Sequence, residues 1–269
     1  MTAIKIGIAG LGAIGRAIAR KLAKGEVPGV ELRGVAVRDK GKAQAFLDSI
    51  GSKASICTIE KLAREADLVI ECAPAAAFAE IAVPVLTAGK TFMAISVGQL
   101  LERPDLVALA KENGAQIIVP TGALIGLDAV TAAAEGEIRS VNMITRKPVK
   151  GLLGAPYLEK RGIDIAGISE PLRIFEGSAR EAARGFPENV NVVAALALAG
   201  IGPDRTRIEI WADPSLARNV HRVVVDSDSA SFEMSIQNIP SENPKTGRIT
   251  ALSILAALRK LKTPLRVGT

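Results

Sequence analysis

Residues Lys5 to Gly15 read K-I-G-I-A-G-L-G-A-I-G, and this run constrains the fold more than any other. A short apolar segment, Ile6 to Ala9, passes straight into Gly10, Gly12 and Gly15, and an Ala/Ile/Leu-rich helical pattern follows over Arg16–Lys24. In a strand–turn–helix unit each glycine has its own physical role. Gly10 permits the tight turn, Gly12 lets backbone amides approach a pyrophosphate with no Cβ in the way, and Gly15 lets the helix pack closely on the strand. The helix N-terminus offers unpaired N–H groups and a positive dipole end to phosphates, and Ala13 and Ile14 of the turn join the three glycines as cofactor-binding candidates. A second strand, Glu31–Val37, ends near Arg38 and Asp39, roughly 20-odd residues on, where the ribose-reading residue of a dinucleotide site belongs. The bland alternative is a glycine-rich turn without a ligand; the flanking strand, helix and second strand weigh against it.

The length suits one or two domains. Aromatic residues make up only 3% of the chain, so the core must be built from Ala, Val, Ile and Leu. The longest apolar stretch, Val192–Ile201, is too short and too rich in Ala and Gly to span a bilayer. No basic-then-apolar targeting segment precedes the first strand, so a soluble cytoplasmic protein with no membrane partner is expected. Cys57 and Cys72 give neither a disulfide framework nor a zinc pattern, and no metal site is expected. A net charge of +6 is modest for this length, and the bases are scattered without aromatic platforms, which argues against nucleic acid as a partner. The charge belongs either to a basic cleft that draws anionic ligands or to a solvated basic surface.

Strand and helix patterns alternate over the first 120 or so residues. Strands are expected at Ile4–Ala9, Glu31–Val37, Leu68–Glu71, Thr91–Ser96 and Gln116–Val119. Helices are expected near Gly15–Lys24, Gly41–Ile50, Ile59–Glu65, Ala76–Ala88 and Arg103–Asn113. Such alternation predicts a doubly wound parallel sheet of the Rossmann type. The strand Leu68–Glu71 leads into the crevice outside the strand ends, which puts Cys72 and Ala73 on the nicotinamide side of a bound dinucleotide. Cys72 is either a reactive thiol or a small packing residue.

After Pro120 the texture changes. A loop at 121–126 leads to a helix over Leu127–Glu135, and strand-like runs follow at Ser140–Thr145, Arg207–Ala212, His221–Val225 and Ser231–Gln237. An alanine-rich helix is expected over Val190–Ala199. Strands in sequence with few helices between them predict an α+β domain with an antiparallel sheet. The tail Ile249–Leu261 has the spacing of a helix with one buried face. The resulting division is a dinucleotide-binding domain over 1–121, a catalytic domain over 122–244, and a tail, 245–269, that packs back on the first.

His221 is the only histidine, and it heads a strand in R-N-V-H-R. A lone histidine is either structural or an acid/base, and imidazole suits proton transfer near neutral pH. Arg146 and Lys147 end a strand as adjacent cations, which reads either as a carboxylate-binding pair or as a solvated basic turn. Asn189 and Asn191 flank Val190 at a helix start, one to cap the helix and the other to point into a cleft. The polar turn Ser241–Gly247 either lines a site or caps the last helix.

The chain resembles the L-aspartate dehydrogenase family over nearly its full length. The segments that carry the resemblance are G-L-G-A-I-G (10–15), V-I-E-C-A-P (69–74), P-T-G-A-L-I-G-L-D-A (120–129), T-R-K-P (145–148), G-A-P (154–156), N-V-N-V (189–192), I-W-A-D-P (210–214), R-N-V-H (218–221) and P-S-E-N-P-K-T-G (240–247). The resemblance implies a nucleotide-binding domain joined to an α+β catalytic domain, as in dihydrodipicolinate reductase-like enzymes. It implies NAD or NADP as cofactor, with Asp39 suited to a ribose 2′-hydroxyl and Arg38 to a 2′-phosphate. It implies that L-aspartate is oxidised to iminoaspartate, giving oxaloacetate and ammonia or feeding NAD synthesis, and that the chain is a homo-oligomer, expected as a dimer. A histidine acid/base falls on His221, and nicotinamide contacts fall on Ala123 and Asn191. Arg146 and Lys147, with Asn191, are then the candidates for holding substrate. The rivals are a reductase of another small dicarboxylate imine and a nicotinamide-binding regulator without turnover.

Overall fold

The computed structural model describes residues 2–187, 190–241 and 247–268. The chain divides into two compact units, 1–120 with 251–266 and 121–250 with 267–269.

The first unit runs β1 (Ile4–Ala9), α1 (Ala13–Ala23), β2 (Val30–Ala36), α2 (Lys40–Ser49), β3 (Ser55–Cys57), α3 (Ile59–Glu65), β4 (Leu68–Glu71), α4 (Phe78–Thr87), β5 (Thr91–Met93), α5 (Asp105–Glu112) and β6 (Gln116–Ile118). Its strands form one six-stranded sheet in the order β3-β2-β1-β4-β5-β6, and every pairing is parallel. Strands buried on both faces read as unbroken apolar runs. Ile6, Ile8, Leu68 and Ile70 accordingly lie in one core cluster with Ile18 and Leu22 of α1. The strand order reverses between β1 and β4, which opens a crevice at their C-terminal ends.

Two differences from the sequence reading have local causes. β3 has only three residues and lies at the sheet edge, too short for a periodic signal. β5 stops at Met93 instead of Ser96, because the N–H groups of Ile95 and Ser96 turn to the carboxylate of Glu71.

The second unit runs α6 (Leu127–Ala133), β7 (Ile138–Lys147), α7 (Pro156–Arg161), β8 (Leu172–Ser178), α8 (Ala179–Gly185), α9 (Asn191–Ala199), β9 (Arg207–Ala212), β10 (Asn219–Ser227) and β11 (Ser231–Asn238). Its five-stranded sheet has the order β11-β10-β7-β9-β8. The sheet is mixed where an antiparallel one was expected: β7 and β9 pair in parallel. The chain goes from β7 to β9 through α7, β8, α8 and α9, and a long crossover rather than a hairpin is what brings two strands parallel. β8 escaped the sequence reading because a register shift between Arg173 and Phe175 breaks its alternation, leaving Ile174 and Phe175 both buried.

Alternation along β7 and β10 sets the site. Val141, Met143, Thr145 and Lys147 are buried on one face of β7, and His221, Val223 and Val225 on the same face of β10. Helices α6 and α9 cover that face; Gly200, after α9, lies against Val130 of α6 and Val141 of β7. The opposite face mixes half-buried apolar side chains with polar ones, among them Arg222 paired to Glu233 at 2.6 Å and the Trp211 indole N–H donating to Glu209 at 2.8 Å. Near α7 and α8, Tyr157, Phe175 and Phe186 form a ring cluster with centroids 5.2 to 5.6 Å apart.

The last helix, α10 (Ile249–Lys260), places Ile254, Leu255 and Leu258 in the cluster formed by Ile6, Ile8 and Ile18. The Arg259 guanidinium donates to the Glu26 carbonyl. The apolar spacing read from the tail is thus a stripe buried against the first sheet.

Candidate active site

The glycine loop is defined by what a methyl group would strike. Gly10 has φ +99°, in the left-handed region, and a Cβ there would lie 2.5 Å from the Cys72 carbonyl oxygen. A Cβ on Gly15 would lie 2.2 Å from the Gly10 carbonyl oxygen, so α1 rests directly on the turn. Gly12 differs: its Cβ position meets only the Cys72 carbonyl, at 4.0 Å. Gly12 is also the N-cap of α1, and no side chain caps that helix. Its first N–H groups therefore face open space, with the positive end of the helix dipole behind them. This is a cradle that a side chain would fill, and it suits a dinucleotide pyrophosphate. Ala13 and Ile14 form the first helical positions, with Ile14 turned against the core.

The sequence reading passed over Glu71, the last residue of β4. It is fully buried, and its carboxylate accepts from the amides of Ala73 (3.1 Å), Ile95 (3.1 Å) and Ser96 (2.7 Å) and from the Ser96 hydroxyl (3.1 Å). Burial pushes this carboxyl up, and the donors from Ser96, Ile95 and Ala73 offset part of that. An acidic residue closing an otherwise apolar strand was the only signal available. Cys72 sits between this clamp and the glycine loop. Burial, then the charge of Glu71, pushes its thiol well up, so it is protonated and packs against the core. Both features favour the packing reading of Cys72.

At the end of β2, Asp39 is the N-cap of α2. Its carboxylate accepts from the Lys42 amide at 3.0 Å and pairs with the Lys42 ammonium at 3.2 Å. The Lys42 N–H, more than any other cause, holds its pKa below the usual value. Arg38 is exposed and has no ion pair among the described residues.

In the second unit, His221 is 2% exposed, and its Nδ1 shares a hydrogen bond with the Thr145 hydroxyl. The two residues are direct partners across β10 and β7. This bond orients the ring and leaves Nε2 without a partner among the described residues. Burial, then the ammonium of Lys147, lowers the imidazole pKa to about 3. The ring is therefore neutral in the free protein, and a titration near pH 6–7 is not expected from it.

Successive side chains of a strand point to opposite faces, and this divides the two adjacent cations. Lys147 is buried on the His221 face, whereas Arg146 leaves on the other face. There Arg146 pairs with Asp213 at 3.4 Å and lies over the Trp211 ring at 4.9 Å. The structure does not bring Arg146 together with His221 and Lys147. Asn191 is the first residue of α9, half-buried, and the N-cap before it, Val190, offers no side-chain bond. Asn189 and residues 242–246 of the polar turn lie outside the described residues. The Ala123 carbonyl accepts from the Asn238 amide at 2.9 Å, which ties the loop after Pro120 to the end of β11.

The glycine geometry makes a paired prediction. Gly15→Ala should destabilise the fold by about 1–3 kcal/mol, because backbone must move to admit the methyl group. Gly12→Val should leave the urea midpoint near wild type while NAD affinity falls strongly, since only the ligand space is filled. Unchanged NAD binding of Gly12→Val in calorimetry would remove the phosphate site from this loop.

Comparison with known proteins identifies the relatives of both units. The family model for the C-terminal part of aspartate dehydrogenase matches residues 128–261, and that for the NAD-binding domain of homoserine dehydrogenase matches residues 10–120. L-aspartate dehydrogenase 3 of Bordetella bronchiseptica is 56% identical over 264 residues, covering 98% of this chain and 97% of its own. The L-aspartate dehydrogenase of Methanosarcina acetivorans is 42% identical over 271 residues, covering 99% of this chain and all of its own. The crystal structure of aspartate dehydrogenase from Thermotoga maritima shares the fold, with a TM-score of 0.71 at 23% identity over 98% of this chain and 99% of that one. Identity of this extent across both units shows that the chain belongs to the L-aspartate dehydrogenase family.

Proposed function

We propose that the chain catalyses NAD(P)-dependent oxidative deamination of L-aspartate to iminoaspartate, which water converts to oxaloacetate and ammonia. The observation that carries this reading is the buried ring of His221, held by Thr145 beside the ammonium of Lys147. When bound, the nicotinamide supplies the acceptor for the hydride that leaves Cα of the amino acid. Gly10, Gly12, Ala13 and Gly15 would hold the pyrophosphate through the backbone of the turn and the first turn of α1. Cys72, Ala73, Ala123 and Asn191 are kept as nicotinamide contacts. Iminoaspartate that escapes hydrolysis would serve NAD synthesis.

As the C–N bond becomes C=N, the nitrogen must lose a proton, and the water that attacks the imine must lose another. Nε2 of His221 is assigned to both transfers. A neutral ring can accept a proton, and a pKa of about 3 makes it a weak base in the free protein. A substrate carboxylate placed against Lys147 offsets the ammonium charge and raises the basicity of the ring. The base thus strengthens when substrate arrives. Lys147 is retained as a carboxylate partner; Arg146 is not, because it is engaged with Asp213 and Trp211 on the other face.

His221→Ala should cut turnover of L-aspartate by roughly 10²–10⁴-fold with NAD affinity little changed, and His221→Asn should be nearly as damaged. The pH dependence of stability has a definite sign. The folded pKa, about 3, lies below the ordinary 6.5, so the unfolded chain binds the extra proton between these values. The contribution of the neutral ring is complete above the unfolded value and is lost as pH falls towards the folded one, by up to about 1.4 kcal/mol per pH unit. Urea titrations near pH 7 and near pH 5 should show a smaller drop for His221→Asn than for wild type. Near-wild-type turnover in both variants would make His221 structural.

For the cofactor, the exposed Arg38 supports acceptance of a 2′-phosphate, whereas Asp39 is partly engaged in capping α2. Arg38→Ala should raise KM for NADP far more than for NAD. Equal effects would take Arg38 away from the ribose. We also infer a homodimer, supported by half-buried Ile144, Val220, Val224 and Trp211 on the sheet face opposite the helices. Light scattering should then give twice the chain mass of 28.0 kDa, and a monomer mass would end that inference.

A further inference from the structure

Beyond the last residues of β7 and β9 and before the first residue of β10, the chain turns away from the second sheet and encloses a cavity of about 540 Å³. That volume is within the range of small-molecule sites. Segments 148–151, 214–219 and 238–240 form most of its wall. Three features give it a chemical character.

The first is charge. Lys150 and Arg218 both line the cavity, and no acidic side chain does so among the described residues. Both are exposed, and neither has an ion pair or hydrogen bond among the described residues. Elsewhere several arginines of the sheet carry acidic partners, as with Arg222 and Glu233, Arg146 and Asp213, and Arg173 and Glu176. Two cations left over at one cavity mark it for an anion.

The second is an orphaned acceptor. Asn238 lines the cavity and is 3% exposed. Its amide nitrogen donates to the Ala123 carbonyl, but its Oδ1 is buried without a hydrogen-bond partner among the described residues. Gly247 closes over it, so closely that a Cβ there would lie 3.0 Å from this oxygen. A buried amide oxygen left unpaired is costly, and a ligand N–H would satisfy it.

The third is position. Asn238 pairs with Asn219 across the β10–β11 ladder, and Asn219 shares a strand face with His221, two residues on and about 7 Å away along the strand.

We infer that this cavity is a recognition pocket for an amino dicarboxylic acid, in which Arg218 and Lys150 hold carboxylate and Oδ1 of Asn238 accepts from the ammonium group. The inference deepens the reading of the chain as an L-aspartate dehydrogenase and rests on it. It places recognition of the second carboxylate on residues outside the strand pair that carries His221 and Lys147. Arginine supplies the planar fork and lysine a point charge, so Arg218 is the stronger determinant.

The test uses the full-length protein, with Arg218→Gln, Lys150→Gln and the double variant. Steady-state kinetics with L-aspartate are measured beside calorimetry with succinate, a dicarboxylate that cannot react. Expected is a rise in KM for L-aspartate of roughly 10- to 100-fold in Arg218→Gln, with a smaller change in kcat. Succinate affinity should fall in parallel, while NAD affinity and melting temperature stay at wild-type values. Arg218→Lys should recover part of the loss. If wild type oxidises L-aspartate and the variants keep its KM and succinate affinity, the pocket is overturned and the enzymatic reading stands. If wild type binds succinate through Arg218 but does not oxidise L-aspartate, the pocket stands and that reading falls.

Discussion

The approach of three backbone segments at the end of β1 governs the first unit. The Gly10 turn lies on the Cys72 carbonyl, and α1 lies on the Gly10 carbonyl, both at distances that exclude a Cβ. The position of Cys72 is in turn set by Glu71, whose carboxylate gathers the amides of Ala73, Ile95 and Ser96. One buried acid thereby fixes the loops after β4 and β5 and, through Cys72, the base of the glycine turn. Each unpaired amide at a strand end would be expensive to bury, and the carboxylate satisfies three of them at once. The cradle at Gly12 stays open because everything around it is held by backbone contact.

The second unit solves a different problem. An imidazole is kept neutral, oriented and near a cation. Burial on the helix-covered face removes water from His221, and Lys147 on the neighbouring strand adds a like charge to the protonated form. Both effects act in the same direction and hold the ring neutral. Thr145, directly across the ladder, fixes the orientation through Nδ1. The arrangement depends on register: a slip of β10 by one residue against β7 would turn His221 to the opposite face, away from Thr145 and Lys147.

Much of this was legible in the chain. The spacing of Gly10, Gly12 and Gly15 after a buried strand announced the turn, because no residue with a Cβ fits the contacts at Gly10 and Gly15. The run Leu68–Glu71 announced a central strand, and the tail announced a helix with one apolar stripe. His221 stood out by being alone. Less legible were the short edge strand at Ser55–Cys57, which has no period to detect, and β8, whose register shift buries two neighbours in a row. Glu71 looked like an ordinary strand-ending acid, since its partners are amides 24 and 25 residues further on.

The sequence by itself determined the class of each unit, the location of the glycine turn and the identity of the proton-transfer candidate. These follow from local rules: steric permission at glycine, the period of apolar residues and the chemistry of one imidazole. Only the tertiary structure decided which neighbours share a face. Arg146 and Lys147 are adjacent in sequence yet separated by a sheet, because strand side chains alternate. Lys150, Arg218 and Asn238 are far apart in sequence yet line one cavity, because the ends of different strands meet there. Whether Asp39 reads a ribose or caps a helix, and whether Cys72 reacts or packs, likewise depended on partners that a linear pattern does not name.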